Sequence, residues 1–377
     1  MKGGHSVKPT IVIICNNSGG LYSFRNELIS ELNRRDNEVI AVTPKDDMIK
    51  ELRAVGTKLR FVDVDRRGIN PLKDMGLFLR YLLILKKEKP SLVITYTIKP
   101  NVYGGFACRL LRVPYAVNIT GLGTAFEREG LLKELVVMMY RTALKRAKVV
   151  FFENSENRKV FLEKGIVPKR KTKVLSGAGV NLEHYKYAEY PSDDSTVRFL
   201  FIGRIMKEKG VDELFKAVRM LRKEGVDCTL DVLGGYEENY ESLIKKYEAE
   251  GWLRYHGYQK DVRPFIAECH CFVLPSWHEG MANTNLECAS SGRPVITSNI
   301  PGCREAVIDG RSGFLCESRN TESLKDAMRR FSELPPEKKR TMGIAGRKHM
   351  EEVFDKKKVV AQTISALKLR KAQKFGE

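Results

Sequence analysis

The sequence predicts an α/β protein built from two doubly wound, Rossmann-like domains. The chain has 377 residues, 42% of them hydrophobic, which is enough for two domains of ordinary size. Short apolar runs alternate with amphipathic segments along both halves, as in parallel sheets with crossover helices. Glycine-rich turns follow several of these runs, which is typical of strand-to-helix connections that approach phosphate groups.

The first half contains six predicted strands, at residues 10–15, 39–43, 59–64, 92–96, 115–119 and 148–152. The loop at 16–20 leads from the first strand into an amphipathic helix at 21–34. Its Gly19 and Gly20 would let the backbone approach a phosphate closely, although a plain tight turn explains them nearly as well. Asp63 and Asp65 form a DxD after the third strand, and we interpret this pair as structural.

A second helix is predicted at 72–87, and its apolar residues are unusually dense. We expect it to pack within the domain and to expose Arg80, Lys86 and Lys87. The alternative is a membrane-docking face, because basic residues flank the apolar stretch. A third helix, basic and aliphatic, is predicted at 131–146.

The second half begins with a strand at 197–202 and a helix at 211–223, joined by a turn that contains Gly203, Arg204 and Lys209. An arginine and a lysine at the carboxyl edge of a sheet can neutralise a diphosphate, the first as a planar fork and the second as a point charge. Two solvated loop cations are the alternative, since the chain has many. A strand at 229–233 then runs into Gly234.

Residues 272–305 are predicted to form a strand, a loop, a helix and another strand, and they contain two glutamates with seven residues between them. Glu279 precedes the helix, at the end of a strand where ligands of open parallel sheets bind. Glu287 lies one or two turns into the helix, whose N-terminus offers backbone N–H groups suited to a diphosphate. Ionised carboxylates accept hydrogen bonds from sugar hydroxyls. Two glutamates on a solvated helix edge are about as consistent with the spacing alone.

With the flanking PSWHEG and GRPVI, this stretch resembles the E-x7-E signature of the retaining glycosyltransferases of family 4, which have the GT-B fold. The resemblance spans nearly the whole chain. It includes the G-R-x4-K-G pattern at 203–210, the linker-like VLSGAGVNL at 174–182, and Gly302 and Glu305. It is greatest to bacterial members that extend undecaprenyl-diphosphate-linked sugars, such as N-acetylgalactosaminyltransferases.

The resemblance implies two Rossmann-like domains facing across a cleft, with a C-terminal helix that crosses back to the first domain. We place an acceptor-side domain at 1–171 together with 358–377, and a nucleotide-sugar-binding domain at 172–357. In the family the first glutamate meets the donor sugar and the second meets the ribose, so these roles fall to Glu279 and Glu287. We assign catalytic roles to Glu279, Arg204 and Lys209.

The resemblance also implies a larger donor-binding set. It comprises Gly19, Gly20, Gly203, Arg204, Lys209, Gly234, Tyr258, Glu279, Gly280, Met281, Ala282, Asn283 and Glu287. Tyr258 marks a loop at 254–261 that resembles the family loop receiving a uracil ring through backbone contacts.

The acceptor side departs from the family in one loop. Many relatives carry a histidine in the loops of the first domain, whereas Ile98 and Lys99 stand in the loop after the fourth strand here. This puts any histidine-assisted step in doubt and makes Lys99 a candidate for holding acceptor phosphate, with a plain surface lysine as the alternative. Gly121 and Gly123, in the loop after the next strand, are the other predicted acceptor residues.

The predicted function is retaining transfer of a hexose or N-acetylhexosamine. The donor is a UDP-sugar, and the acceptor is a lipid-diphosphate-linked (undecaprenyl) saccharide in bacterial surface-glycan or glycoprotein-glycan assembly. The resemblance implies no cofactor and no metal ion. The alternatives are a sugar-nucleotide epimerase of the same fold and a transferase with a soluble acceptor.

The charge of the chain indicates anionic partners. Its formal net charge is +19, which fits a diphosphate, an anionic membrane leaflet or nucleic acid. We expect no nucleic acid, because no recognised motif or aromatic-studded basic strand is present. No long apolar run or signal peptide is found, so we expect a cytoplasmic protein on the inner face of the membrane. A peripheral membrane scaffold would share this charge.

The eight cysteines are scattered, and no CxxC pair exists. We expect buried, reduced thiols; a metal site at Cys269-His270-Cys271 would need further ligands.

Overall fold

The computed structural model describes residues 8–65, 70–123, 126, 130–192 and 196–369. The chain forms two compact units. One contains the residues up to Ala178 together with those from Lys357 onward, and the other contains Gly179–Lys356. The division falls later than the 171/172 boundary placed from the sequence, because Thr172–Val174 pairs in parallel with Val150–Phe152 and completes the first sheet.

The first unit contains a seven-stranded parallel sheet in the order β3-β2-β1-β4-β5-β6-β7. Its strands are β1 (Thr10–Ile14), β2 (Glu38–Thr43), β3 (Lys58–Phe61), β4 (Leu92–Tyr96), β5 (Tyr115–Ile119), β6 (Val149–Phe152) and β7 (Thr172–Val174). All six predicted strands are confirmed, and β7 was not predicted. β1, β4 and β5 lie between other strands and are buried almost throughout, as expected for strands covered on both faces.

The helices of the first unit are α1 (Ser18–Arg34), α2 (Ile49–Ala54), α3 (Pro71–Glu88), α4 (Gly105–Leu111), α5 (Leu131–Leu144) and α6 (Ser155–Glu163). The predicted start of α1 at Leu21 is wrong. The Asn17 side chain accepts a hydrogen bond from the Gly20 N–H and caps the helix, so that Gly19 and Gly20 lie in its first turn instead of a loop. In α3, Asn70 caps the first turn and Pro71 occupies the first helical position.

Two apolar cores cover the two faces of the first sheet. One core contains residues of α3, α4 and α5, among them Tyr81, Cys108 and Tyr140. The other contains residues of α1 and α2, and the C-terminal helix packs into it through Val359, Ile364 and Leu367. The C-terminal helix therefore returns to the first unit, as predicted.

The second unit contains a six-stranded parallel sheet in the order β10-β9-β8-β11-β12-β13. Its strands are β8 (Val197–Ile202), β9 (Cys228–Leu233), β10 (Leu253–Tyr255), β11 (Cys271–Leu274), β12 (Val295–Ser298) and β13 (Gly313–Cys316). Its helices are α7 (Val211–Lys223), α8 (Glu241–Ala249), α9 (Arg263–Glu268), α10 (Asn283–Ser290), α11 (Thr321–Ser332) and α12 (Pro336–His349). The C-terminal helix, α13 (Lys356–Leu367), belongs to the first unit from Lys357 onward.

Each sheet has one point at which its strand order reverses. In the first sheet this point lies between β1 and β4, and in the second between β8 and β11. Loops at the carboxyl ends of such neighbouring strands diverge and leave a crevice in which ligands bind. The loops after β8 and β11 are therefore the first place to look for a site in the second unit.

The cysteine prediction is confirmed, since all eight thiols are free and buried. Within the described ranges, no group of three or more His, Cys, Asp or Glu side chains is arranged to hold a metal ion. None of the helices described here combines the length and the apolar character that a membrane crossing needs.

Candidate functional site

The strand-order reversal of the second sheet brings Lys209 and Glu279 together. Lys209 lies in the loop after β8, Glu279 lies in the loop after β11, and the Lys209 ammonium donates a hydrogen bond to Glu279 Oε1. Ser276 Oγ donates to the same oxygen at 2.9 Å. Only 19% of the Lys209 side chain and 14% of the Glu279 side chain are exposed, so this ion pair is shielded from bulk water. Two predicted catalytic residues thus form one polar centre.

Backbone contact between the same two loops sets the position of this centre. Gly210 has a φ of +72°, and a Cβ added there would lie 2.1 Å from the Pro275 carbonyl oxygen. The Trp277 N–H donates to the Glu208 carbonyl at 2.9 Å. Only a glycine at position 210 allows the loops to approach this closely.

The N-terminus of α10 lies directly after Glu279 in the chain. Among the described residues, no side chain caps α10, and its first turn contains no acidic residue. The Ala282 N–H donates to the Gly302 carbonyl at 2.7 Å, and a Cβ on Gly302 would lie 2.6 Å from the Glu279 carbonyl oxygen. The segment Gly280–Asn283 is thereby held at a helix end whose first turn carries no acidic residue, a setting that favours an anion.

Glu287 lies in the second turn of α10 and is half-buried. Loss of solvent raises the pKa of its carboxyl group to about 7; the hydrogen bond with Tyr185 and the charge of Lys356 act in the opposite direction. This carboxyl group therefore changes charge near neutral pH. A ligand that donates hydrogen bonds to it would favour its ionised form.

The other cation of the predicted diphosphate site, Arg204, has a different environment. Its side chain is 54% exposed, and its Nη1 lies 3.3 Å from Glu237 Oε2. The neighbouring strand ends are fixed by close backbone contact, because a Cβ on Gly234 would lie 1.8 Å from the Gly203 carbonyl oxygen. Gly234 is thus required by the geometry of the sheet edge itself, whereas a Cβ on Gly203 would meet only the Phe201 ring, at 3.2 Å.

Tyr258 follows β10 and is 73% exposed. The loop that carries it is anchored at its base, where the Tyr255 hydroxyl donates to the Gly234 carbonyl at 2.9 Å. The Gly234 N–H donates to the Gly257 carbonyl at 2.8 Å. The structure therefore places the predicted base-binding loop beside the ends of β8 and β9 and leaves the Tyr258 ring in solvent.

At the corresponding edge of the first sheet, the predicted acceptor residues are close neighbours. A Cβ on Gly123, whose φ is +72°, would lie 2.6 Å from Ile98 Cδ1. Lys99 Nζ lies 2.7 Å from Asp74 Oδ1, and the Tyr103 hydroxyl donates to Asp74 Oδ2 at 3.0 Å. With 16% of its side chain exposed, Lys99 is not a plain surface lysine. Gly121 lies two residues before Gly123, in the same irregular segment.

The glycines after β1 lie in a first turn in which two N–H groups already have side-chain acceptors within the chain. The Ser18 N–H donates to Asp46 Oδ1 and Oδ2 at 3.1 Å each, and the Gly20 N–H donates to the Asn17 side chain. In this structure the N-terminus of α1 is therefore occupied by internal acceptors.

Sequence reasoning did not identify three residues that contact predicted site residues. Ser276 bonds Glu279, Tyr185 bonds Glu287, and Asp74 pairs with Lys99. Ser276 lies within the motif, where its nearness to Glu279 is a usable signal. Tyr185 and Asp74 are distant in sequence from their partners, so only the folded chain reveals them.

A buried ion pair was also missed. Arg25 Nη2 lies 2.6 Å from Glu153 Oε1, and each side chain is 10% exposed. The Arg25 guanidinium stacks on the Tyr96 ring at 4.8 Å. Burial raises the pKa of Glu153, while Arg25 lowers it. The pair ties α1 to the end of β6.

Comparison with known proteins covers both units. Residues 186–349 match the model of the family described as glycosyl transferases group 1, and residues 12–154 match the model described as glycosyl transferase 4-like.

Two similar bacterial enzymes are N,N'-diacetylbacillosaminyl-diphospho-undecaprenol alpha-1,3-N-acetylgalactosaminyltransferase of Campylobacter jejuni and UDP-Gal:alpha-D-GlcNAc-diphosphoundecaprenol alpha-1,3-galactosyltransferase of Escherichia coli. The first is 25% identical over 81% of this chain and 85% of its own length. The second is 28% identical over 72% of this chain and 74% of its own length.

Similar solved structures include Anabaena HepE in complex with UDP and glucose. Its TM-score is 0.77 at 18% identity, covering 95% of this chain and 99% of that one. Sucrose-phosphate synthase from Thermosynechococcus elongatus has a TM-score of 0.75 at 18% identity, covering 95% and 98%. Structures at this level of identity support the fold, and the family models span both sheets. The chain belongs to the family 4 glycosyltransferases and has their GT-B fold.

Proposed function

We propose that this glycosyltransferase moves a hexose or N-acetylhexosamine, with retention of configuration, from a UDP-sugar to an undecaprenyl-diphosphate-linked saccharide in bacterial surface-glycan or glycoprotein-glycan assembly. The observation that carries the donor site is the Lys209–Glu279 pair at the strand-order reversal, beside the uncapped N-terminus of α10. The names of the two bacterial relatives support the choice of acceptor.

In this proposal the donor diphosphate binds to cationic groups and backbone amides. Lys209, Arg204 and the N-terminal segment Gly280, Met281, Ala282 and Asn283 stabilise the negative charge that grows on the departing UDP when the anomeric C–O bond breaks. The residues Gly203 and Gly234 keep the strand ends free of side chains where the diphosphate passes.

The two glutamates then divide the neutral parts of the donor. Glu279 accepts hydrogen bonds from sugar hydroxyls, and Glu287 accepts them from the ribose. The backbone near Tyr258 contacts the base. The chemistry needs no metal ion, since protein cations supply the charge.

The acceptor side consists of Lys99, Gly121 and Gly123. In this proposal Lys99 exchanges its bond with Asp74 for the acceptor phosphate, a step available to an ammonium that has a flexible stem. The enzyme works on the cytoplasmic face of the membrane as a peripheral protein, and nucleic acid is not a partner. The relatives named above transfer sugars, which favours transfer over epimerisation.

A thermal-shift comparison of UDP, GDP and ADP tests the donor site. A ligand at about 100 times its dissociation constant stabilises a fold by about 2.7 kcal/mol. We expect UDP alone to raise the midpoint, and Glu287→Ala to lose that effect. Glu333→Ala, which removes an exposed glutamate at the end of α11, is the matched control. A shift caused by GDP would overturn the choice of donor. If none of the three nucleotides raises the midpoint, the donor-site assignment is wrong.

A transfer assay tests the acceptor. UDP-sugars are supplied with an undecaprenyl-diphosphate-linked saccharide, with and without a chelator. We expect product in both cases. Donor turnover without any acceptor would favour the epimerase, product with a free saccharide alone would favour the soluble acceptor, and loss of product with the chelator would contradict metal independence.

A further inference from the structure

Exposed apolar side chains concentrate on one side of the first unit. In the described ranges, fifteen large apolar side chains are exposed, and nine of these lie on α3, α4 and α5. The nine are Leu72, Met75, Leu79, Leu83, Leu110, Leu131, Leu132, Leu135 and Met138. Clusters of this kind on soluble proteins mark surfaces that contact another apolar body.

Helix α3 is apolar on two opposite sides. Leu77, Tyr81 and Leu85 are buried against the sheet. The outer side carries Leu72, Met75, Leu79 and Leu83, which follow each other at helical spacing and are 85%, 57%, 48% and 65% exposed. Phe78, Leu82 and Ile84 also pack against the core, so that the core accounts for six large apolar residues of α3 and leaves the four on the outer side uncovered.

Helix α5 has the same arrangement. Val137, Tyr140 and Leu144 are buried in the same core as α3, while Leu131, Leu135 and Met138 are 92%, 46% and 56% exposed. Helix α4 packs against both α3 and α5. Since all three helices bury their inner sides on one sheet face, their outer sides form one continuous layer, which we call the α3–α5 surface.

The α3–α5 surface carries excess positive charge. Arg80, Lys86, Lys87, Arg141 and Lys145 are exposed on it or at its edge. The acidic residues of the two long helices each have a cationic neighbour. Asp74 pairs with Lys99, Glu88 with Arg60, and Glu134 with Lys164 at 3.8 Å. The surface thus combines apolar area with cations, and its acids are already paired.

We propose that the α3–α5 surface docks on an anionic lipid bilayer, with the leucines and methionines inserted among the lipids and the cations against their headgroups. Apolar insertion combined with attraction to anionic lipid is how helices lie in a membrane interface. A second copy of the chain would bring like charges together on this surface, which disfavours self-association.

The position of the surface fits a lipid-linked acceptor, and in this respect the inference rests on the proposed function. Asp74 lies on α3 between Leu72 and Met75 and holds Lys99. Asp74 is buried on the inner side of α3, whereas Leu72 and Met75 are exposed on its outer side. A bilayer that touches these two residues would therefore hold a lipid diphosphate about 10 Å, one helix diameter, from the predicted acceptor lysine.

Vesicle flotation of the full-length chain tests the docking. The vesicles contain phosphatidylcholine alone or mixed with phosphatidylglycerol. We expect binding to the anionic vesicles, and a loss of more than tenfold in the partition coefficient for the double variant Leu79→Glu with Leu135→Glu. The matched control is Ile344→Glu, at a 50% exposed apolar residue of α12, and it should bind as wild type does.

Cations are tested in the same assay. The double variant Arg80→Glu with Lys87→Glu should weaken binding to anionic vesicles at least fivefold, whereas Lys216→Glu, at an exposed lysine of α7, should not. Wild-type binding should fall as salt rises.

Several outcomes would overturn the docking. These are unchanged binding by the leucine variant, equal loss in the Ile344→Glu control, no binding of wild type to either vesicle, and a wild-type dimer that the leucine variant dissociates. The UDP thermal shift of each variant is measured in parallel without lipid. It should match wild type, so that failure of docking and failure of the donor site are seen separately.

Discussion

The N-termini of α1 and α10 both lie at the strand-order reversal of their own sheet but differ in what their backbone N–H groups contact. Each helix follows a strand at the strand-order reversal, β1 or β11. At α1, the Ser18 N–H donates to the Asp46 carboxylate, and the Asn17 side chain accepts a hydrogen bond from the Gly20 N–H. At α10, no side chain of the described residues caps the helix. The helix dipole is common to both, so its availability to a ligand depends on neighbouring side chains.

The comparison also separates two kinds of glycine. Gly19 and Gly20 suggested a phosphate loop, yet they form a helical turn that the protein itself caps. Gly210 and Gly302 were not among the predicted site residues, yet they permit the close backbone contacts around Glu279. A glycine-rich stretch is therefore weaker support for an anion site than a glycine whose added Cβ would strike a backbone atom.

The largest effect expected is from Lys209→Ala. Loss of the only cation bonded to Glu279 in the described residues would lower kcat/KM for transfer by about 100- to 1000-fold, the effect of removing one charge-stabilising donor. The melting midpoint should also fall, because the variant leaves the shielded Glu279 carboxylate without its cation, so kcat/KM is measured well below that midpoint. Lys216→Ala, at an exposed lysine of α7, is the control. A kcat/KM within threefold of wild type would place the diphosphate elsewhere, with the α1 terminus as the next candidate.

Gly210→Ala should destabilise the contact between the loops after β8 and β11, which positions Lys209 and Glu279 near the N-terminus of α10. Gly225→Ala is a matched control, because Gly225 has a φ of +87° and no atom within 4 Å of an added Cβ. We expect about 1 kcal/mol lost by left-handed strain in the control. The clash with Pro275 should cost about 2 kcal/mol more in Gly210→Ala. Denaturant unfolding measures both, and equal losses would show that the loops separate easily.

The pH dependence of UDP binding should reveal Glu287. Its pKa of about 7 in the folded chain exceeds the ordinary value of 4.5, so ionising it costs folding stability as the pH rises through 7. Ribose hydroxyls donate to the ionised form, so that UDP affinity should rise about tenfold between pH ~6 and ~8. Binding calorimetry of wild type and Glu287→Gln isolates the contribution of Glu287 to this pH dependence, because the protonation of UDP itself affects both proteins equally. Parallel profiles would contradict the assignment.

The smallest effect is expected at the other helix. Asn17→Ala removes the α1 cap and should lower the free energy of unfolding by about 1 kcal/mol. UDP affinity should change less than threefold, because the donor contacts are assigned mainly to the second unit. UDP affinity could also fall by more than the lost stability explains. The N-terminus of α1, and not that of α10, would then be the diphosphate site.

Much of the fold could be predicted from local patterns. β4, β5, β8 and α7 have the predicted bounds, since apolar periodicity and flanking turns act over a few residues. The short strand β7 was missed because Thr172–Val174 has little apolar character and is recognisable only by its pairing with β6. The start of α1 was placed wrongly because the capping bond of Asn17 outweighed the turn preference of the two glycines.

The sequence alone determined the fold class, the family and the positions of Glu279 and Glu287, because their spacing is a local property of one strand-loop-helix unit. Tertiary structure decided which groups meet. Lys209 and Glu279 are 70 residues apart and touch because β8 lies beside β11. The tertiary arrangement likewise brings Asp74 into contact with Lys99 and leaves the outer apolar side of α3 exposed. A hydrogen bond or a buried face requires a neighbour in space, and sheet order supplies that neighbour.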